Sequence, residues 1–269
     1  MFIRPSWPVP QNIKSIYTTR QGGVSKSPFN SFNLATHVGD VLEDVLLNRQ
    51  KLFDQACLPS EPLWLDQQHT DIAIQLRHSD FKTQTSHSLP HSAPPPIADA
   101  SWTQQAGLVS VVMTADCLPI LITNESGTIV AAIHAGWKGL AKGIVSKTMN
   151  SFPAEIQNSP GKLLAWIGPA ISAEQFEVGQ DVYDMFVNQD KDNANYFKPK
   201  FSIETSGQSV PEKYLADLPG LVKKELNALG VSQVYGGDLC SFALAEDFFS
   251  YRRSGKTGRM ACLIWIEAE

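Results

Sequence analysis

The chain is poor in cysteine, in basic excess and in long apolar runs, and each shortage removes a class of protein. Its 4 cysteines, Cys57, Cys117, Cys240 and Cys262, are scattered without Cys-x-x-Cys spacing. That excludes a disulfide-stapled module and a zinc ribbon, and it predicts free thiols. No apolar run approaches the roughly 20 residues that a membrane-spanning helix needs. The opening MFIRPSWPVPQNI has no apolar signal core, so the chain reads as cytoplasmic. With 22 Lys and Arg against 27 Asp and Glu, it has no basic face suited to a general nucleic-acid binder. Internal repeats and interdomain linkers are also missing, which predicts one domain over residues 1–269.

What the chain does have is concentrated in Thr114–Gly139, TADCLPILITNESGTIVAAIHAGWKG. Leu118–Ile122 and Ile129–Ala135 are apolar runs flanking the turn-like NESG. This pattern predicts a buried hairpin that brings Cys117 near His134. Polar groups set into such apolar strands are costly unless paired or used.

Elsewhere, Ile13–Thr19 predicts a first strand leading into TTRQGGVS. There Arg20, Gly22, Gly23 and Ser25 suit either an anion cradle or a plain turn. SFNLATHVGD (31–40) reads as a polar loop, with Asp40 capping a helix over Val41–Ala56. The apolar face of that helix would be Leu42, Val45, Leu46, Leu52 and Phe53, with Arg49 solvated or structural and not a ligand. Ile72–Leu76 predicts a short strand. Residues 78–96 are rich in Ser, Thr, His and Pro and read as a flexible surface loop carrying His78, His87 and His91. Asp99 is a polar residue just ahead of the hairpin. After the hairpin come a helix over Gly139–Phe152 and a strand over Leu163–Ile171. Phe176–Phe186 ends as a short helix, and Gln189–Lys200 is a polar loop. Tyr214–Leu229 is amphipathic and stopped by Gly230. A basic, Gly-interrupted loop then leads to a terminal strand ending at Ile266. Strands and helices without regular βαβ alternation predict an α+β or layered α/β domain.

His69, Cys117 and His134 come from separate segments and form a plausible three-ligand site. Imidazole and thiolate suit Zn2+, with Cu2+ as an alternative, and a fourth position would remain for water. Asp116 and Gln68 each precede a ligand by one residue and could orient it or the substrate. A metal-free Cys117 nucleophile with His134 as base remains open, as does a purely structural Cys117.

The blocks TTRQGGVS, SFNLATHVGD, WLDQQH, ADAS, TADCLPILI, IHAGWKG, IGPAISAEQFEVG and FFSYRRSGKTGRMA occur in order through nearly the whole chain. Together they resemble the YfiH-like family, long described as laccase-like multicopper polyphenol oxidoreductases and now as purine nucleoside phosphorylases. The resemblance implies a single-domain layered α/β/β/α sandwich with zinc on His69, Cys117 and His134. It also implies phosphorolysis of adenosine, inosine, guanosine and methylthioadenosine, together with adenosine deamination. Purine nucleosides and inorganic phosphate would then be the partners, with neither nucleic acid nor membrane. Multicopper chemistry fits poorly, because only 6 histidines are present and several fall in the 78–96 loop. Within that reading Arg20 and Gly23 are expected to hold phosphate, with Arg253 second, and Asp116 to shuttle a proton. A Cys-His hydrolase acting on peptidoglycan precursors is the competing enzyme class. A nucleoside or metal sensor is the non-enzymatic one. Ser254, where an acidic residue is common, and the long 78–96 loop depart from the family pattern.

Overall fold

The computed structural model describes residues 1–81, 94–203 and 209–268. His87 and His91, and most of the loop expected at 78–96, lie outside the described residues. Three sheets carry the architecture. A four-stranded sheet is ordered β1 (Phe2–Ile3), β2 (Ile13–Thr18), β13 (Met260–Ile266) and β5 (Val109–Thr114). A six-stranded sheet is ordered β12 (Gln233–Gly236), β8 (Leu163–Ile167), β6 (Leu118–Asn124), β7 (Val130–Ala135), β4 (Ala100–Thr103) and β3 (Ala73–Gln75). A smaller sheet pairs β10 (Phe197–Ile203) with β11 (Ser209–Ala216) and β11 with β9 (Glu177–Val178).

The two larger sheets stack face to face, and the two-residue side-chain period sorts their residues into layers. Val112, Cys262 and Ile264 of one sheet meet Leu121, Val130 and Ala132 of the other in a shared core. The alternate residues of the four-stranded sheet, Val109, Val111, Leu263 and Trp265, face a second core that includes Leu52 of α1 (Leu42–Ala56). Those of the six-stranded sheet, Ile120, Ile122, Ala131 and Ile133, face the short helices α2 (Trp137–Ala141), α3 (Ile144–Asn150) and α4 (Ala154–Gln157). The same core takes in α5 (Gln180–Val187) and α6 (Leu218–Ala228). The result is an α+β fold in α/β/β/α layers. Strands β5, β6 and β7 are buried along their whole length, which is why their sequences are continuous apolar runs.

The hairpin expectation holds: β6 and β7 are antiparallel neighbours with Pro119 opposite His134. Other expectations are corrected. The helix expected over Gly139–Phe152 is two helices, because Gly143 takes φ 82° between them. Tyr214 belongs to β11, and α6 begins only at Leu218 behind Asp217, whose side chain accepts from Gly220 N. The Gln189–Lys200 stretch runs into β10, an outlying strand whose FKPKFSI alternates apolar and polar residues where the central strands are continuous apolar runs. Asp40 does not cap α1. Its carboxylate accepts from Val41 N, and Leu42 is 51% exposed. The missing inward residue on that helix is Asn48, fully buried and polar.

Candidate metal centre

Strand pairing builds the centre from Asp99 outward. His134 N donates to Asp99 O at 2.7 Å, which sets the two residues side by side where β4 begins. Their side chains then meet, with His134 Nδ1 2.7 Å from Asp99 Oδ1. That carboxylate is fully buried. It also accepts from His69 N at 3.1 Å, from Gln68 N at 3.3 Å, and from Thr70 N and Thr70 Oγ1 at 2.6 Å each. One side chain therefore orients one imidazole and folds the loop that carries the other. The loop is docked from its far side by Gln67, whose side chain exchanges hydrogen bonds with Met113 N and O of β5. His69 sits at φ 57°, a left-handed conformation that this ring of donors holds in place.

Cys117, one residue before β6, completes the group. Its Sγ lies 3.6 Å from His69 Nε2, and the two imidazole rings have centroids 4.9 Å apart. One ligand atom from each of His69, Cys117 and His134 lies within 4.8 Å of the others. Metal–ligand bonds of about 2.0 and 2.3 Å in a tetrahedral site put nitrogen and sulfur ligands about 3.5 Å apart, so the group fits a zinc ion. With Nδ1 of His134 occupied by Asp99, Nε2 is the nitrogen left for a cation. Gly136 shows how tightly the cradle is drawn: a Cβ there would lie 2.4 Å from His69 Cδ2 and 3.0 Å from Cys117 Sγ.

The ionisable groups of the centre act on one another, as in a thiolate–imidazolium pair. Burial opposes ionisation of the Cys117 thiol, but the His134 charge and hydrogen bonds from both histidines carry its pKa down to about 6. Burial likewise opposes charge on His134, yet the Cys117 thiolate and Asp99 push it upward. Asp99 is held down at about 2: burial works against its charge, and the bonds from His134 and Thr70 win.

The other expected site residues are placed as follows. Gln68 contributes its backbone N to Asp99, while its side chain reaches Asp66 Oδ2 at 2.6 Å. Asp116, at φ 94°, accepts from Ser241 Oγ and Arg252 N at 2.7 Å each, and its carbonyl accepts from Ile171 N. Arg253 sits beside Ser241 and donates to the carbonyls of Ser241, Phe242 and Phe248. Arg20 donates to Asn30 O and Ala245 O and lies over Phe249. Gly23 N donates to Ser31 Oγ, and a Cβ on Gly23 would lie 2.1 Å from Ser31 O. The structure thus gathers His69, Cys117, His134 and Asp99, with Asp116 one residue away. The Gly22–Gly23 turn is joined instead to Ser31 and Asn48, Val24 N donating to Asn48 Oδ1. Thr70, Gln67, Asn48 and Arg259 escaped the sequence reading. Only the ADAS block hinted at the part played by Asp99.

Fold and site together define an α+β protein built on two stacked sheets and a smaller third, with a candidate three-donor centre. Residues 14–267 match the family model described as multi-copper polyphenol oxidoreductase laccase. The chain is 44% identical to a purine nucleoside phosphorylase of Haemophilus influenzae over 98% of this chain and 99% of the relative. It is 40% identical to the purine nucleoside phosphorylase YfiH of Escherichia coli over 98% of each. Among solved structures, a Neisseria meningitidis DUF152 protein superposes with TM-score 0.85 at 41% identity, covering 99% of both chains. YlmD from Geobacillus stearothermophilus superposes with TM-score 0.77 at 29% identity, covering 96% of this chain and 93% of that one. The chain belongs to this family, the YfiH/DUF152 proteins.

Proposed function

We propose that this protein is a zinc-dependent purine nucleoside phosphorylase that also deaminates adenosine, acting on adenosine, inosine, guanosine and methylthioadenosine. The observation that carries the reading is the convergence of His69, Cys117 and His134 within one cation's reach, in a chain matched end to end by relatives named for that phosphorolysis. Zinc is favoured over copper because one thiolate and two imidazoles form a single mononuclear site. Among the described residues no second ligand cluster is found that a multicopper oxidase would need.

A bound zinc ion would supply Lewis acidity and an open position for water or substrate. The chain's own residues do the rest. Asp99 keeps the His134 proton on Nδ1 and leaves Nε2 to the cation. The thiolate of Cys117 is favoured before any metal arrives. In phosphorolysis a phosphate oxygen bonds to C1′ of the ribose while the C1′–N9 bond breaks. The electron pair leaves with the purine, which takes up a proton. We assign Asp116 to positioning, because its two carboxylate oxygens fasten Ser241 and Arg252 next to Cys117.

The test is metal analysis of the purified protein together with phosphate-dependent release of hypoxanthine from inosine, and ammonia release from adenosine. Zinc near one equivalent, with both activities lost in His69→Ala and Cys117→Ala, supports the proposal; full turnover without metal overturns it. The lowered Cys117 pKa also suits a metal-free Cys-His hydrolase. That enzyme would survive a strong chelator and be stopped by a thiol alkylator.

A further inference from the structure

The arginines differ in what their guanidinium groups hold. Arg20 and Arg253 are tied to backbone carbonyls; Arg252 is exposed, donates through Nη1 to Glu177 O and lies over Phe176, its Nε and Nη2 edge open to solvent. Arg49 donates to Leu34 O and stacks on Trp64. Arg259 differs from Arg252 in being half-buried, with its guanidinium 5.9 Å from the Tyr251 ring centroid. Its Nη1 donates to Thr257 O at 2.9 Å and Gly258 O at 3.1 Å, the two carbonyls just before it. Those bonds fix the plane of the group and leave the Nε and Nη2 edge with no acceptor among the described residues. That edge is the fork with which arginine grips two oxygens of a phosphate at once.

Position and burial give the free edge a purpose. Arg259 is half-buried directly before β13, whose first residue, Met260, pairs with Thr114 of β5, three residues ahead of Cys117. Burial pulls the Arg259 guanidinium below its usual pKa, and the charges of Cys117 and Asp116 counter that only in part. Its backbone is fastened to the 31–40 loop: Arg259 N donates to Asn33 Oδ1 at 3.0 Å, and Leu34 N to Arg259 O. No carboxylate lies within ion-pair distance of it among the described residues. A half-buried cation with an oriented, open fork near a metal-type centre is suited to take an oxyanion.

We infer that Arg259 is the residue that grips inorganic phosphate near the His69–Cys117–His134 centre, through its Nε and Nη2 edge, in place of Arg20 and the Gly22–Gly23 turn. The assignment rests on the phosphorylase reading for its substrate, and the anion site itself can be tested without it. Arg259→Ala and Arg259→Lys, prepared as zinc-loaded full-length protein, are compared with wild type by varying phosphate at saturating inosine. Arg259→Ala raises KM for phosphate by about 30-fold or more, while KM for inosine and the zinc content stay within about threefold. Arg259→Lys, which keeps the charge and loses the fork, falls between the two. Titration calorimetry with phosphate alone reads the same site without turnover: wild type binds, and Arg259→Ala does not. An unchanged phosphate KM in a folded, active Arg259→Ala protein overturns the assignment, as does unchanged phosphate binding by calorimetry. If wild type binds phosphate through Arg259 yet releases no hypoxanthine, the anion site stands and the phosphorylase reading falls.

Discussion

Asp99 and Asp116 are buried carboxylates that flank the same centre, and they do opposite work. Asp99 receives five hydrogen bonds, from His134, His69, Gln68 and twice from Thr70, so every group it holds is a ligand or the loop bearing one. Asp116 directly precedes Cys117, yet its carboxylate turns away to Ser241 and Arg252. Closeness in sequence to a ligand therefore says little about which carboxylate supports the metal. The donors that the fold presents decide it.

The largest effect expected comes from crowding the side that Asp99 organises. Gly136→Ala puts a methyl group against His69 and Cys117 and should lower zinc affinity by about 100-fold or more in chelator competition. Asp99→Asn keeps the shape but removes the charge, and should weaken zinc by about 10- to 100-fold in the same assay. Asp116→Asn should leave zinc affinity within about threefold while lowering the urea unfolding free energy by roughly 1–3 kcal/mol. Equal loss of zinc in the two aspartate variants would erase the contrast. A third carboxylate sharpens it. Glu225 is raised by burial, which outweighs its bonds from Ser146, and no cation pairs with it among the described residues. With its folded pKa above the unfolded one, its favourable contribution is present below the usual carboxylate range and lost as pH rises through the folded value. Glu225→Gln should thus raise the thermal midpoint at pH 8 by roughly 1–3 °C and leave it unchanged at pH 4. Thermal melts at both pH values check the sign.

Much of the central sandwich was legible because β5, β6 and β7 are buried on both faces and leave long apolar runs in the sequence. The small β9–β10–β11 sheet was not, since strands outside the main stack carry no such pattern. Reading α2 and α3 as one helix failed for a local reason: periodicity continues across Gly143 while its backbone does not. At the site, His69, Cys117 and His134 could be singled out by residue type. Arg259 could not, because an arginine with a free edge has the same letter as one whose edges are filled.

The sequence by itself determined the layered core and three candidate metal donors, since burial pattern and ligand chemistry are properties of residue types. Only the tertiary structure decided which carboxylate serves those candidate donors and which half-buried arginine keeps an edge open. Both depend on hydrogen bonds between segments far apart in the chain, such as Asp99 to Thr70 or Arg259 to Asn33, whose partners no local spacing encodes.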